Sequence, residues 1–132
     1  MVAIFSQRLL SGASLTVFGD GEQTRDYVFV RDVVSANMLV SDVEVPDGET
    51  LDAVAFNVGT GEGTSVNQLA DTLEDAAGVR PGINHEAARP GELRHSRLDT
   101  KHLRALGWNC SWTLEEGLRE TYQHIARESE SA

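Results

Sequence analysis

Apolar residues between positions 2 and 11 (Val2, Ile4, Phe5, Leu9, Leu10) recur among Ser6, Gln7 and Arg8 at helical spacing, and Gly12 stops the run. Leu15 to Phe18 reads as a strand. A turn rich in Gly and Asp follows, then a polar Gln-Thr-Arg segment, then a second apolar strand candidate, Tyr27 to Val30. Asp32 stands where a helix N-cap belongs, and the helix it would open runs to Asp42. Its Val33, Val34, Ala36, Met38, Leu39 and Val40 leave no clean polar face, which implies burial on more than one side.

Pro46, Asp47 and Gly48 mark a surface loop over 42–50. The continuous apolar run Ala53 to Val58 suits a strand buried on both faces. It leads through Gly59-Thr60-Gly61-Glu62-Gly63-Thr64 to Ser65, which with Gln68 forms a capping box for a helix over 66–77 that Gly78 closes. Strand, glycines and helix in that order also fit a dinucleotide fingerprint. The spacing argues for a tight turn instead: Thr64 stands where the third glycine is required, and Glu62 would face any pyrophosphate with a carboxylate.

Ile83 to Ala87 reads as a short strand delivering Ala88-Arg89-Pro90-Gly91-Glu92, a turn that sets Arg89 and Glu92 in fixed relation. Asp99 caps a short helix through Leu106, ended by Gly107. Trp108 and Trp112 flank Asn109-Cys110-Ser111, where core packing explains both rings. Thr113 and Glu116 form another capping box, opening a helix to about Arg127 with Leu114, Leu118, Tyr122 and Ile125 on one stripe. The tail from Glu128 is polar and expected to fray.

Composition narrows the function classes. The chain has 132 residues, room for one domain with its own core. Its formal net charge is -10, from 21 acidic against 11 basic residues, and Lys101 is the sole lysine. That balance speaks against a nucleic-acid or anionic-membrane partner, but leaves room for one small anion held by a few arginines. No run of about 18 apolar residues is present. The first residues lack the basic and apolar segments of a secretory signal, and the single cysteine, Cys110, fits a reducing compartment. The expected localisation is cytoplasmic. His85, His95, His102 and His124 do not fall in a metal-ligand spacing with acids or Cys110, so no metal site is expected.

Arg25 sits between the first two strand candidates in an acidic neighbourhood. Its planar fork suits a phosphate or carboxylate, and a salt bridge to Asp20, Glu22 or Asp26 is the plainer alternative. For Arg89 the plainer alternative is a pair with Glu86 or Glu92. The order Val-Phe-Gly-Asp-Gly-Glu-Gln-Thr-Arg-Asp (17–26), Phe-Asn-Val-Gly (56–59), Arg-Pro-Gly-Glu (89–92) and Leu-Gly-Trp (106–108) resembles the NAD-dependent sugar-nucleotide epimerase/dehydratase family of extended short-chain dehydrogenase/reductases, and within it UDP-glucose 4-epimerases most. Specificity for the family is high and for one sugar low.

The resemblance implies an α/β fold: the carboxyl-terminal, substrate-binding part of such an enzyme, with four to five helices and a few short strands and without the N-terminal Rossmann sheet. Residues 1–132 would form one nucleotide-sugar-binding domain, the N-terminal NAD-binding domain being absent. The implied substrate-binding residues are Phe18, Gln23, Arg25, Arg89 and Glu92. Arg25 and Arg89 would meet the diphosphate, Phe18 the uracil, and Glu92 the ribose hydroxyls in place of the family's more common aspartate.

The implied chemistry is incomplete. The family transfers hydride to NAD with a Tyr-x-x-x-Lys pair, yet Tyr27 has Arg31 four residues later and Tyr122 has Ala126. No glycine-rich cofactor loop follows an opening strand. The chain alone is therefore expected to bind no cofactor and to catalyse nothing, with NAD implied only for full-length relatives. Its expected partners are a UDP-sugar or related nucleotide sugar and either further copies of itself or a missing NAD-binding half. The alternative is a stand-alone, non-catalytic oligomerising module.

Overall fold

The computed structural model describes residues 1–44, 48, 50 and 54–131. Nine elements follow in order: α1 (Val2–Leu10), β1 (Leu15–Phe18), β2 (Thr24–Arg25), α2 (Val30–Ser41), β3 (Thr64–Ser65), α3 (Val66–Ala77), β4 (Ile83–Glu86), α4 (Lys101–Ala105) and α5 (Leu114–Glu130). Five helices and four short strands among the described residues give the α/β class expected, with no large sheet. β1 pairs in parallel with β4, Leu15 opposite Ile83 and Phe18 opposite Glu86. β2 pairs antiparallel with β3, Arg25 opposite Thr64.

α3 organises the core. Val66, Leu69, Ala70 and Leu73 recur at helical spacing and are buried against Phe5 and Leu9 of α1, Leu15 and Val17 of β1 and Leu118 of α5. Each fully buried leucine removes enough apolar surface from water to stabilise the fold by roughly 1.5 to 3 kcal/mol. Strand alternation does the rest for β1: Leu15 and Val17 point into this core, so Thr16 and Phe18 face the other way, half-exposed. A second, smaller core joins Ala36, Leu103 and Trp108, with Phe56 and Val58 packed against it.

Both ends of α3 follow the sequence: the Ser65 hydroxyl accepts from the Gln68 N–H, and Gly78 closes the helix at φ 70°. The reciprocal half of the box is present only at α5, where Glu116 Oε2 accepts from the Thr113 N–H at 2.9 Å. α5 runs on to Glu130, so the tail expected to fray from Glu128 is helical through its first three residues. α4 is shorter than expected and has Thr100 at its N-cap. Asp99, one residue earlier, accepts from the Lys101 N–H at 3.1 Å.

Three expectations for the middle of the chain fail, for connected reasons. Tyr27 to Val30 is not a strand. β2 ends at Arg25, and the Phe29 ring lies 4.5 Å from the Trp112 ring. α2 begins at Val30 behind Phe29, not behind Asp32, because the buried Asp32 carboxylate is used elsewhere: it accepts from the N–H groups of Ser111 (2.9 Å) and Trp112 (3.2 Å). At the third helical position the charge still complements the helix dipole. Residues 54–58 of the other strand candidate form no strand either, since no described strand lies beside them to complete a ladder; Ala53 lies outside the described residues, as does part of the loop expected over 42–50.

α2 also departs from its expected burial. Only Asp32 and Ala36 are buried, while Val30, Val34 and Met38, one turn apart, stand more than half exposed. Trp112 is not a core residue like Trp108. It borders a cavity of about 520 Å³ together with Phe29, Val30, Leu114 and Leu118, and Arg31 lies over its ring at 5.1 Å. Among the described residues no helix is long and apolar enough to cross a membrane.

Candidate functional site

The end of β1 presents Phe18, and a glycine turn brings the chain back to β2. Gly19 and Gly21 take positive φ values of 72° and 75°, which favour glycine. Gly21 also passes so close to α3 that a Cβ there would stand 2.0 Å from the Asn67 side chain. Asn67 secures the turn by donating to the Asp20 carbonyl (2.9 Å) and the Glu22 carboxylate (2.7 Å). Gln23 is buried, and its amide nitrogen donates to the Phe18 carbonyl at 2.9 Å, closing the turn on the end of β1.

Two residues on, Arg25 donates to the Thr24 carbonyl at 2.7 Å and reaches Glu92 at 3.5 Å. Its partner is therefore Glu92, not Asp20, Glu22 or Asp26. Beyond β4 the turn over Arg89 to Glu92 folds on itself, the Glu92 N–H donating to the Arg89 carbonyl at 3.4 Å. The Arg89 guanidinium lies 3.8 Å from the centre of the Phe18 ring, so it stacks where a pair with Glu86 or Glu92 was the plainer expectation. Phe18, Gln23, Arg25, Arg89 and Glu92 thus form one connected cluster, drawn from three separate stretches of chain. It lies on an open face, and none of the five borders the 520 Å³ cavity.

The segment after the turn holds the cluster together through residues the sequence did not single out. Thr24 donates its N–H to the Arg94 carbonyl (2.9 Å) and accepts from the Ser96 N–H (3.1 Å), so residues 94–96 run alongside β2. Arg94 grips Asp20 with both terminal nitrogens, at 2.9 and 2.8 Å. That fork holds the Asp20 carboxyl down to about 2 against an ordinary 3.8, with the Glu22 N–H helping. The sequence marks Arg94 only as a further arginine five residues after Arg89; its partner, 74 residues away, is supplied by the fold.

Asp26 fixes the opposite flank. Its carboxylate accepts from the Thr60 N–H (2.9 Å), the Thr60 hydroxyl (2.6 Å), the Gly61 N–H (2.9 Å) and the Leu98 N–H (3.3 Å). Gly59 is required there, since a Cβ would stand 2.7 Å from that carboxylate. The N–H groups of the glycine turn are therefore directed at a protein carboxylate, which makes the turn a structural joint and not a cradle for a dinucleotide pyrophosphate. Beside Arg25, burial pushes the Tyr27 hydroxyl up, with the arginine's charge pulling the other way. Burial, then the Asp32 and Asp26 charges, raises the Cys110 thiol, which points its Sγ at the Gly59 carbonyl at 3.5 Å. Among the described residues no three His, Cys, Asp or Glu side chains gather as a metal site needs.

Known proteins resemble this chain in sequence and backbone. The profile of the family described as GDP-mannose 4,6 dehydratase matches residues 2–121. The UDP-glucose 4-epimerase of Mycolicibacterium smegmatis is 40% identical over 131 residues, 98% of this chain and 40% of the relative. The putative UDP-glucose 4-epimerase of Methanocaldococcus jannaschii is 36% identical over 119 residues, 90% of this chain and 36% of the relative. Among solved structures, the UDP-glucose 4-epimerase of Thermotoga maritima with UDP-glucose superposes with a TM-score of 0.84 at 42% identity, over 97% of this chain and 40% of that one. The chain thus spans about two fifths of the length of the relatives it matches.

Proposed function

Since this chain belongs to the NAD-dependent sugar-nucleotide epimerase/dehydratase family, we propose that it is the nucleotide-sugar-binding portion of a UDP-glucose 4-epimerase-like enzyme. Arg25 and Arg89 hold the diphosphate, Phe18 lies against the base, and Glu92 meets the ribose hydroxyls. Gln23 serves the site by fixing the end of β1 that carries Phe18. The observation that supports this reading is the meeting of residues 18, 23–25 and 89–92 in one surface cluster containing two guanidinium groups.

The chain acts in this reading as a binding part and is inactive alone. NAD supplies hydride chemistry to full-length relatives, but the residues present here do not fit it. The glycine turn is satisfied by Asp26, and neither tyrosine has a lysine four residues on. A cytoplasmic setting accords with the lone Cys110.

Calorimetry with UDP, UDP-glucose and NAD tests the assignment. UDP and UDP-glucose are expected to bind and NAD not. Arg25→Ala or Arg89→Ala each removes a charge-assisted contact worth on the order of 1.5 to 3 kcal/mol, so affinity for UDP falls roughly 10- to 150-fold. Absence of UDP binding at millimolar ligand rejects the proposal.

A second reading, a non-catalytic oligomerising module, or equally a half that docks onto a separate NAD-binding half, draws on a different observation. The 520 Å³ cavity and the exposed Val30, Val34 and Met38 adjoin at Val30, and a contiguous apolar surface of this kind favours association. Light scattering that finds a clean monomer at high concentration would count against self-association.

A further inference from the structure

Every group assigned above to a part of the ligand is already engaged by another group of the same site. Arg25, assigned to phosphate, rests on Glu92 at 3.5 Å. Arg89, also assigned to phosphate, covers one face of the Phe18 ring at 3.8 Å. We propose that Glu92 and Phe18 determine specificity by holding the two arginines in reserve, so that the site accepts a nucleoside diphosphate only through a linked exchange of partners. The diphosphate draws Arg25 from Glu92 and Arg89 from Phe18. The freed carboxylate then takes the ribose hydroxyls and the freed ring takes the base. This inference rests on the nucleotide-sugar reading of the site.

Three features make the exchange feasible. The Arg25–Glu92 pair is long for a salt bridge and both side chains are about 30% exposed, so it is weakly held. Arg25 keeps a second bond to the Thr24 carbonyl at 2.7 Å, so its guanidinium can turn towards a new anion without losing its anchor. Arg89 and Glu92 leave one short turn, closed by the Glu92 N–H on the Arg89 carbonyl at 3.4 Å, so both can be released at the same place. The consequence is discrimination against fragments. A nucleoside must displace a cation from the ring without offering it a phosphate. A bare pyrophosphate must take Arg25 from Glu92 while leaving the carboxylate without hydroxyls.

NMR titration of the full chain with uridine, inorganic pyrophosphate and UDP tests this, with thermal melts confirming that each variant is folded. Arg89→Ala uncovers the ring, so uridine is expected to bind several-fold more tightly than to the parent while UDP binds at least tenfold more weakly. Arg89→Lys keeps the charge with a poorer stack and is expected to fall between, which serves if the alanine variant does not fold. Glu92→Gln releases Arg25, so pyrophosphate binding strengthens several-fold, and by more than in Glu86→Gln, which changes the charge equally without touching the pair. If the parent binds UDP but both position-89 variants take uridine no better than it does, Arg89 stays stacked between ring and base and the exchange is overturned, with the binding site intact. The exchange is equally overturned if Glu92→Gln gains no more than Glu86→Gln. A parent that binds no UDP rejects the site itself and the exchange with it.

Discussion

The acids around the glycine turn are shared out among different partners. Arg94 takes Asp20 with a two-point fork, Asp26 is spent on backbone N–H groups, and Arg25 is left with Glu92. This has a measurable consequence at low pH. The folded Asp20 carboxyl titrates at about 2 and its ordinary value is 3.8, so the folded state favours the ionised form. Its contribution to stability is complete above the ordinary value and disappears as pH falls from about 4 through about 2. Carboxyl NMR is expected to find the Asp20 midpoint near 2 in the parent and clearly higher in Arg94→Ala, where the Glu22 N–H still holds it below its ordinary value, and thermal stability should fall less steeply over that range in the variant. An unchanged midpoint would remove the fork as its cause. Phe18, Arg25, Arg89 and Glu92 were legible because they sit in contiguous motifs. Arg94 was not, because its value depends on a partner 74 residues away.

Elements were legible where their causes are local. Ser65 and Thr113 open helices because a hydroxyl reaches an N–H three residues on, and Gly78 ends one because a left-handed residue is needed there. The strand candidates at 27–30 and, over its described residues 54–58, the one from Ala53 misled because a strand is completed by a neighbour, which an apolar run does not supply. Asp32 misled for the same reason. It looks like a cap for its own helix, yet it satisfies the start of α5's lead-in segment 79 and 80 residues away. Replacing Asp32 with alanine strands the N–H groups of Ser111 and Trp112 and should cost on the order of 3 kcal/mol. Asp32→Asn keeps an acceptor for one of the two N–H groups but sets its NH2 donor against the other, and should cost at least half of that but less than the whole. Urea unfolding of the two variants measures the difference. Equal losses would show that one retained acceptor contributes nothing there.

Charge and apolar surface pull in opposite directions across the whole molecule. The exposed stripe of Val30, Val34 and Met38 runs into the cavity beside Trp112, and covering it with a second copy removes apolar area from water on both partners. A net charge of -10 on each copy opposes their approach. Salt weakens the second effect far more than the first, since the screening length shrinks from about 10 Å at 0.1 M to about 3 Å at 1 M. The mass measured by light scattering is therefore expected to rise from monomer towards dimer as sodium chloride increases across that interval. The double variant Val34→Glu with Met38→Glu should remain monomeric throughout, because it breaks the stripe and adds charge at once. A parent mass that stays constant, or falls as salt is raised, would mean that this surface does not bind a second copy.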